Sequence, residues 1–304
     1  MLNYKSLSKR PRHFLNFTGL TISEFQELTN SIKNNWLEQM ANKHKTDRTR
    51  KIGGGRKLKL AALEDRLLVF LLYAKLYPSY LMLEYLFDID ESNVCRIIQE
   101  FTPILSKKII INRQGKKITT LEELRAAMPG LDEVLLDATE QKINRPKKKT
   151  TRKKYHSGKQ KSHTIKTQII TDKKGLILNV SKSRPGRAHD YKYFKQTKLP
   201  CWLKKNQDVK VLADAGYQGV NKDYPNINFK IPIKRTRAKK ELTRQEKIYN
   251  TKLRKKRIVI EHTFAYLKKY QVLAGKYRNL KENYSAMFKS IAFLTNLRML
   301  ARTA

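Results

Sequence analysis

Three carboxylates, Asp137, Asp214 and Glu261, stand in positions from which they could do chemistry together. Asp137 follows the apolar run Val134-Leu-Leu, and Asp214 follows Val211-Leu-Ala. A carboxylate at the end of a strand projects beyond the sheet instead of into it. The sequence after Asp214, Ala-Gly-Tyr-Gln-Gly, reads as a turn whose glycines let the backbone curl away. Two such carboxylates at one sheet edge repel each other unless a cation lies between them, and hard divalent ions prefer oxygen ligands. The pair asks for Mg²⁺.

Glu261 lies in a long helical pattern, Lys247 to Tyr270. With Arg257 as the origin and 3.6 residues per turn, Glu261 falls at about 40° and Lys268 at about 20° around the axis. The three share a face, so a metal-binding Glu would have basic neighbours that hold phosphate. Val259, Thr263, Leu267 and Tyr270 gather on the opposite side, at roughly 200–280°, and are expected to pack against a sheet. Each feature also has a plain structural reading: aspartates form turns at strand ends, and a charged helix face can be solvated with ordinary i,i+4 pairs. Their combination points to a site.

The elements needed to position these residues are legible in outline. After Gly130 the pattern becomes that of strands, over Glu133-Val-Leu-Leu-Asp-Ala-Thr, Thr164-Ile-Lys-Thr-Gln-Ile-Ile and Leu176-Ile-Leu-Asn-Val-Ser, with Asp172-Lys-Lys-Gly as a hairpin turn. A helix is expected near Asp190, capped by that residue. Val209 to Asp214 reads as a fourth strand, and Phe229-Lys-Ile-Pro-Ile as a short fifth whose proline suits an edge. Strands followed by a long helix predict a mixed α/β domain.

Upstream, helical spacing of Leu63, Leu67, Leu68, Leu71 and Leu72 ends near Pro78. Two shorter helices follow, about Tyr80 to Phe87 and Glu91 to Phe101, joined by a turn at Asp88. This is a helix-turn-helix, in which Ser92, Asn93 and Arg96 would face a DNA major groove. Asp88 stands where such turns usually place Gly, so a merely structural helix pair is the competing reading. Three consecutive segments are expected: 1–55, helical and ending in the basic, glycine-rich Lys51-Ile-Gly-Gly-Gly-Arg-Lys; 56–128, the helix-turn-helix; and 129–304, the α/β domain.

The whole chain is strongly basic. Lys and Arg number 66 against 26 Asp and Glu, a formal charge of +40 that requires a polyanionic partner. No apolar run approaches the ~20 residues that span a bilayer. Cys95 and Cys201 are too far apart for a metal or disulfide pattern, which suits a reducing cytoplasm. Gly53-Gly-Gly lacks the Lys-Ser/Thr of a phosphate loop. Double-stranded DNA is the expected partner, and no membrane.

From about Leu60 to Leu300 the chain resembles the DDE transposases of the insertion-sequence 5 family and the related PIF/Harbinger endonucleases. Leu136-Asp-Ala-Thr-Glu is similar to the first-Asp motif, Leu212-Ala-Asp-Ala-Gly-Tyr-Gln-Gly to the second, and Arg257-Ile-Val-Ile-Glu-His-Thr-Phe-Ala-Tyr-Leu-Lys to the Arg-x₃-Glu-x₆-Lys signature. Tyr155-His-Ser-Gly-Lys and Pro185-Gly-Arg-Ala-His-Asp also match recurrent blocks, whereas Arg254 replaces a Tyr often found three residues before the signature Arg.

The resemblance implies an RNase H-like mixed sheet flanked by helices, preceded by the all-α helix-turn-helix region. It also implies two Mg²⁺ ions, replaceable by Mn²⁺, with Asp137 bridging both and Asp214 and Glu261 each holding one. Arg257 and Lys268 would then contact phosphate. The implied substrates are transposon terminal inverted repeats and target DNA, handled by a homodimer or higher multimer. A transposase-derived DNA-binding protein without transposition activity, and an RNA-associated basic protein, are the competing classes.

Overall fold

A computed structural model describes residues 1–42, 58–108, 130–197, 199–204, 209–237 and 239–303; the glycine-rich stretch at Lys51 lies outside them. Two compact units divide the chain: Met1–Lys108 with Lys268–Ala274 and Ala286–Ala304, and Ile109–Leu267 with Gly275–Ser285. This departs from the three consecutive segments expected from sequence. The reason lies in the C-terminal apolar residues: Val272, Leu273, Phe288, Ile291, Phe293 and Leu294 are buried, in stretches that group with the N-terminal helices. Periodicity shows that a helix has an apolar face but not which partner covers it.

Among the described residues the first unit is all helical. It contains α1 (Tyr4–Leu7), α2 (Pro11–Thr18), α3 (Ile22–Asn42), α4 (Leu63–Leu76), α5 (Tyr80–Phe87) and α6 (Glu91–Ser106). Every residue of α4 from Arg66 to Ala74 is buried, so this helix is apolar nearly all round and forms the unit's centre. Glu100 of α6 lies within it. Arg66 Nη2 donates to Glu100 Oε2 at 2.7 Å, and Trp36 Nε1 donates to Glu100 Oε1 at 2.6 Å. A buried carboxylate needs such partners, and removal of the Arg would leave an uncompensated charge, at a cost of about 3–5 kcal/mol.

Helices α5 and α6 form the expected helix-turn-helix. Ser79 Oγ accepts from the Met82 amide and caps α5. At the other end Asp88 takes the left-handed conformation (φ 52°, ψ 49°) that Gly usually fills, and its carboxylate pairs with Lys59 at 3.0 Å. Asp is among the few residues besides Gly that enter this region with tolerable strain. The turn is therefore formed without the usual glycine.

Among the described residues the second unit is built on seven strands: β1 (Glu133–Lys142), β2 (His156–Ser157), β3 (Ser162–Asp172), β4 (Ile177–Val180), β5 (Arg184–Pro185), β6 (Lys210–Ala213) and β7 (Phe229–Lys230). β1 and β3 are antiparallel, with β4 against β3, while β6 and β7 add in parallel on the other side of β1. An antiparallel meander extended by two parallel strands is the RNase H-like arrangement. The turn after β3 is held by Asp172 Oδ1, which accepts from the Lys174 and Leu176 amides, and Gly175 takes a positive φ of 91°. Pro232 follows β7 at the sheet edge, where a missing N–H costs no ladder bond.

The flanking helices are α7 (Lys149–Tyr155), α8 (Asp190–Lys195), α9 (Leu199–Lys204), α10 (Val220–Asp223) and α11 (Arg244–Leu267); α12 (Gln271–Ala274) and α13 (Tyr284–Thr303) follow. Two corrections concern α11. It ends at Leu267, so Lys268 and Tyr270 lie beyond it and their expected helical angles do not apply. Its buried residues are Leu253, Arg257, Ile260, Thr263 and Leu267, centred about 60° from Arg257 on the side away from Glu261. Arg257 is thus at the margin of the packed stripe, and only Glu261 turns fully to solvent.

Candidate active site

Asp137 and Asp214 meet because their strands are parallel neighbours in matched register. Leu136 of β1 pairs with Ala213 of β6, and each aspartate is the next residue along. The sheet continues through Asp137 on β1 but ends at Ala213 on β6, so the two carboxylates stand at the point where the parallel half stops. The side chain of Asp214 accepts from the Ala215 amide and fixes the turn beyond the strand. The Ala138 amide donates to Asp137 Oδ1 at 2.7 Å.

Arg257 joins the two aspartates. Its Nη2 donates to Asp137 Oδ2 at 2.8 Å, and its Nη1 is 3.6 Å from Asp214 Oδ1. Its Nε is buried without a hydrogen-bond partner. Burial pushes the Asp137 carboxyl up to about 6; Arg257 pulls it down, and the like charges of Asp214 and Asp190 push it up again. The guanidinium therefore compensates the pair only in part. Arg257 was expected to contact phosphate from an open helix face, but its position at the margin of the packed stripe brings it onto the carboxylates themselves.

A second group of charges adjoins the first. Lys166 on β3 is buried, and its Nζ reaches Asp190 Oδ1 at 2.8 Å, Glu140 Oε1 at 3.2 Å and the Ala188 carbonyl at 2.9 Å. Burial alone would lower the Lys166 ammonium, but Asp190 and Glu140 more than offset that and raise it. Gln168 Nε2 donates to the Asp190 carbonyl and to Tyr217 Oη, and burial holds the Tyr217 hydroxyl far above its ordinary range.

Asp190 was expected to cap α8. Instead His189 is the capping position, makes no side-chain cap bond, and Asp190 spends its carboxylate on Lys166. Two glycines permit this packing. A Cβ on Gly186 would stand 1.7 Å from Thr164 Oγ1, and one on Gly216 would stand 3.1 Å from Asp190 Oδ2.

Glu261 is exposed on α11, one turn after Arg257, without an ion pair among the described residues. Among those residues no cluster of three or more His, Cys, Asp or Glu side chains is arranged to hold a metal ion. The expected gathering of three carboxylates is thus met by two. Asp137 and Asp214 do fit a hard divalent cation: both offer oxygens, they repel each other, and the cation now between them is only partly compensating. Lys268 is exposed just past the end of α11 and groups with the first unit.

In the helix-turn-helix, Ser92 and Arg96 are exposed on the first two turns of α6, opposite buried Val94, Ile97, Ile98 and Phe101. Arg96 Nη1 donates to Asn93 Oδ1 at 3.0 Å, and Asn93 Nδ2 to Asp90 Oδ2 at 3.3 Å. The three polar residues are therefore presented together at the N-terminal end of α6.

Sequence reading did not find Lys166, Glu140, Gln168 or Tyr217. Glu140 and Lys166 are directly opposite on β1 and β3, a relation that only strand register reveals. The signal for Asp190 was its place in Pro185-Gly-Arg-Ala-His-Asp, and for Tyr217 its place in the turn after Asp214.

Comparison with known proteins agrees with this geometry. A family model described as DDE superfamily endonuclease matches residues 136–296, more than half of the chain. A second, the helix-turn-helix of DDE superfamily endonuclease, matches residues 58–109. The chain is also 32% identical over 281 residues, 92% of its length and 96% of the relative's, to the probable transposase for insertion sequence element IS702 of Microchaete diplosiphon. No solved structure matches. No described helix is long and apolar enough to cross a membrane. On these matches, and with this pairing of Asp137 within β1 and Asp214 at the end of β6, the chain belongs to the DDE superfamily endonucleases.

Proposed function

We propose that the chain is a DNA transposase of the insertion-sequence 5 kind, related to PIF/Harbinger endonucleases, that binds transposon ends, cleaves DNA and joins the ends to target DNA. The observation that carries this reading is the register match that sets Asp137 beside Asp214, with Arg257 bridging them. Asp137 and Asp214 would hold a divalent cation, Mg²⁺ or Mn²⁺, with Glu261 as a further ligand. In DDE chemistry, paired cations activate the attacking oxygen and stabilise the leaving oxygen of an in-line displacement at phosphorus.

The remaining work falls to this chain's own side chains. Arg257 offsets the carboxylates in part and, as a guanidinium that does not deprotonate, would serve as a charged donor near phosphate rather than as acid or base. Lys268 is a phosphate contact. Lys166 holds Asp190 and Glu140 beside the carboxylate pair and offsets part of their negative charge. Ser92, Asn93 and Arg96 read base edges at the element ends. A homodimer or higher multimer would bring two ends together.

The exposed position of Glu261 favours the alternative, a transposase-derived DNA-binding protein without transposition activity. Nicking of duplex DNA carrying the element's inverted repeats separates the two readings. Mg²⁺-dependent cleavage that is lost in Asp137→Asn, Asp214→Asn and Glu261→Gln, with DNA binding retained, supports the transposase. DNA binding without cleavage in the unaltered chain supports the alternative.

A further inference from the structure

Strand β1 does not stop at the aspartates. It runs on from Asp137 to Lys142, paired with β3 throughout, after β6 has ended. Five residues at about 3.4 Å each carry this ribbon about 17 Å beyond Asp137. What it carries there is almost purely basic: ten of the twenty residues from 142 to 161 are Lys or Arg, and none is Asp or Glu.

The tip is a built structure. Pro146 and Ser157 are buried, the Arg187 amide donates to the Lys154 carbonyl, and Lys281 Nζ lies 4.9 Å from the centroid of the Tyr155 ring. His156 and His163 pack edge to face across β2 and β3, with centroids 5.6 Å apart. Slight burial and then the charges of His156, Arg145 and Arg152 hold the His163 imidazole below its ordinary range, a sign of the positive field around it.

Lys147, Lys148, Lys149, Lys153, Lys154 and Lys159 are all exposed and form no ion pair among the described residues. A solvated charged face would intersperse acidic partners at i,i+4, which stabilise a helix; α7 has none and holds like charges close together. Such an arrangement is neutralised by a polyanion.

We propose that this tip, α7 with its flanking lysines, is a phosphate clamp that grips duplex DNA about five base pairs from the phosphodiester held at Asp137 and Asp214. For a duplex laid along the β1–β3 ribbon, B-form DNA, like the strand, advances about 3.4 Å per unit, so five residues of ribbon match about five base pairs. The distance rests on the reading of Asp137 and Asp214 as the cleavage site; the clamp itself does not.

Two measurements on the full chain test it. In the first, affinity for a random-sequence duplex is followed against salt in EDTA, for the unaltered protein and for Lys148→Gln/Lys153→Gln/Lys154→Gln. Loss of three phosphate contacts should lower the slope of log K against log salt by about 2–3. An unchanged slope, with unaltered thermal midpoint and far-ultraviolet spectrum, overturns the clamp.

In the second, Lys153→Cys in a background with Cys95 and Cys201 replaced by Ser carries an iron–EDTA probe, bound to a duplex bearing the element's inverted repeat. Strand scission centred about five base pairs from the Mg²⁺-dependent nick is expected. Scission at the nick itself, or spread evenly along the duplex, overturns the placement. Absence of any nick refutes the catalytic reading, while the slope comparison, made without metal, still decides the clamp.

Discussion

The raised carboxyl of Asp137 makes a prediction about stability as well as catalysis. Its ordinary value of 3.8 rises to about 6 in the folded chain, chiefly through burial. A group that holds its proton more tightly when folded stabilises the fold only while protonated. The contribution is full below about pH 4 and is lost as pH rises through about 6. At about 1.4 kcal/mol per pH unit, the cost of keeping Asp137 ionised at pH 7 is about 3 kcal/mol. That figure already includes the attraction of Arg257, because it compares ionised with neutral Asp137 in the same surroundings.

Asp137→Asn keeps the shape and removes the charge. Denaturation with urea in EDTA should therefore show the variant more stable than the unaltered chain by about 3 kcal/mol at pH 7, with the difference vanishing near pH 4. A divalent cation should close most of that gap. It stabilises only a fold that binds it, by about 2.7 kcal/mol at a hundred times its dissociation constant, and Asp137→Asn should gain little of this. An Asn variant less stable than the parent at pH 7 in EDTA, or a stability gap that widens toward acid, would refute the account of Asp137 as a carboxylate strained by burial and by its neighbours.

Other predictions follow from neighbouring residues. Glu261→Gln should abolish Mg²⁺-dependent cleavage yet change unfolding free energy by less than about 0.5 kcal/mol, as expected of an exposed site; retained cleavage would remove Glu261 from the site. Lys166→Met should destabilise by about 3–5 kcal/mol at pH 7 because Glu140 and Asp190 lose their shared cation, a loss read by urea denaturation. Ser92→Ala/Asn93→Ala/Arg96→Ala should reduce discrimination between element ends and scrambled DNA, at about 1–3 kcal/mol per lost base contact, while competition assays show little change in non-specific affinity.

What the sequence disclosed, and what it withheld, divides along the range of the interactions involved. The strands and the hairpin at Asp172 were legible because alternation and turn residues are local signals, whereas the parallel register that sets β1 beside β6 is a long-range relation that only the fold discloses. The left-handed turn at Asp88 was legible as a question, since the residue type argues against the conformation and only the surrounding helices decide it.

The long-range relations were not legible. Nothing in the periodicity of α13 says that its buried face belongs with the N-terminal helices, and nothing in the alternation of β3 says that Lys166 meets both Glu140 and Asp190. Helix angles placed Arg257, Glu261 and Lys268 on one face, but a face about 100° wide is shared between packing and solvent. A difference of about 40° separates Arg257, drawn onto two aspartates, from Glu261, left in water. The same margin explains why two carboxylates come together and the third does not: an arginine at the edge of the packed stripe reaches Asp137 and Asp214 where they meet, whereas a glutamate one turn on faces solvent.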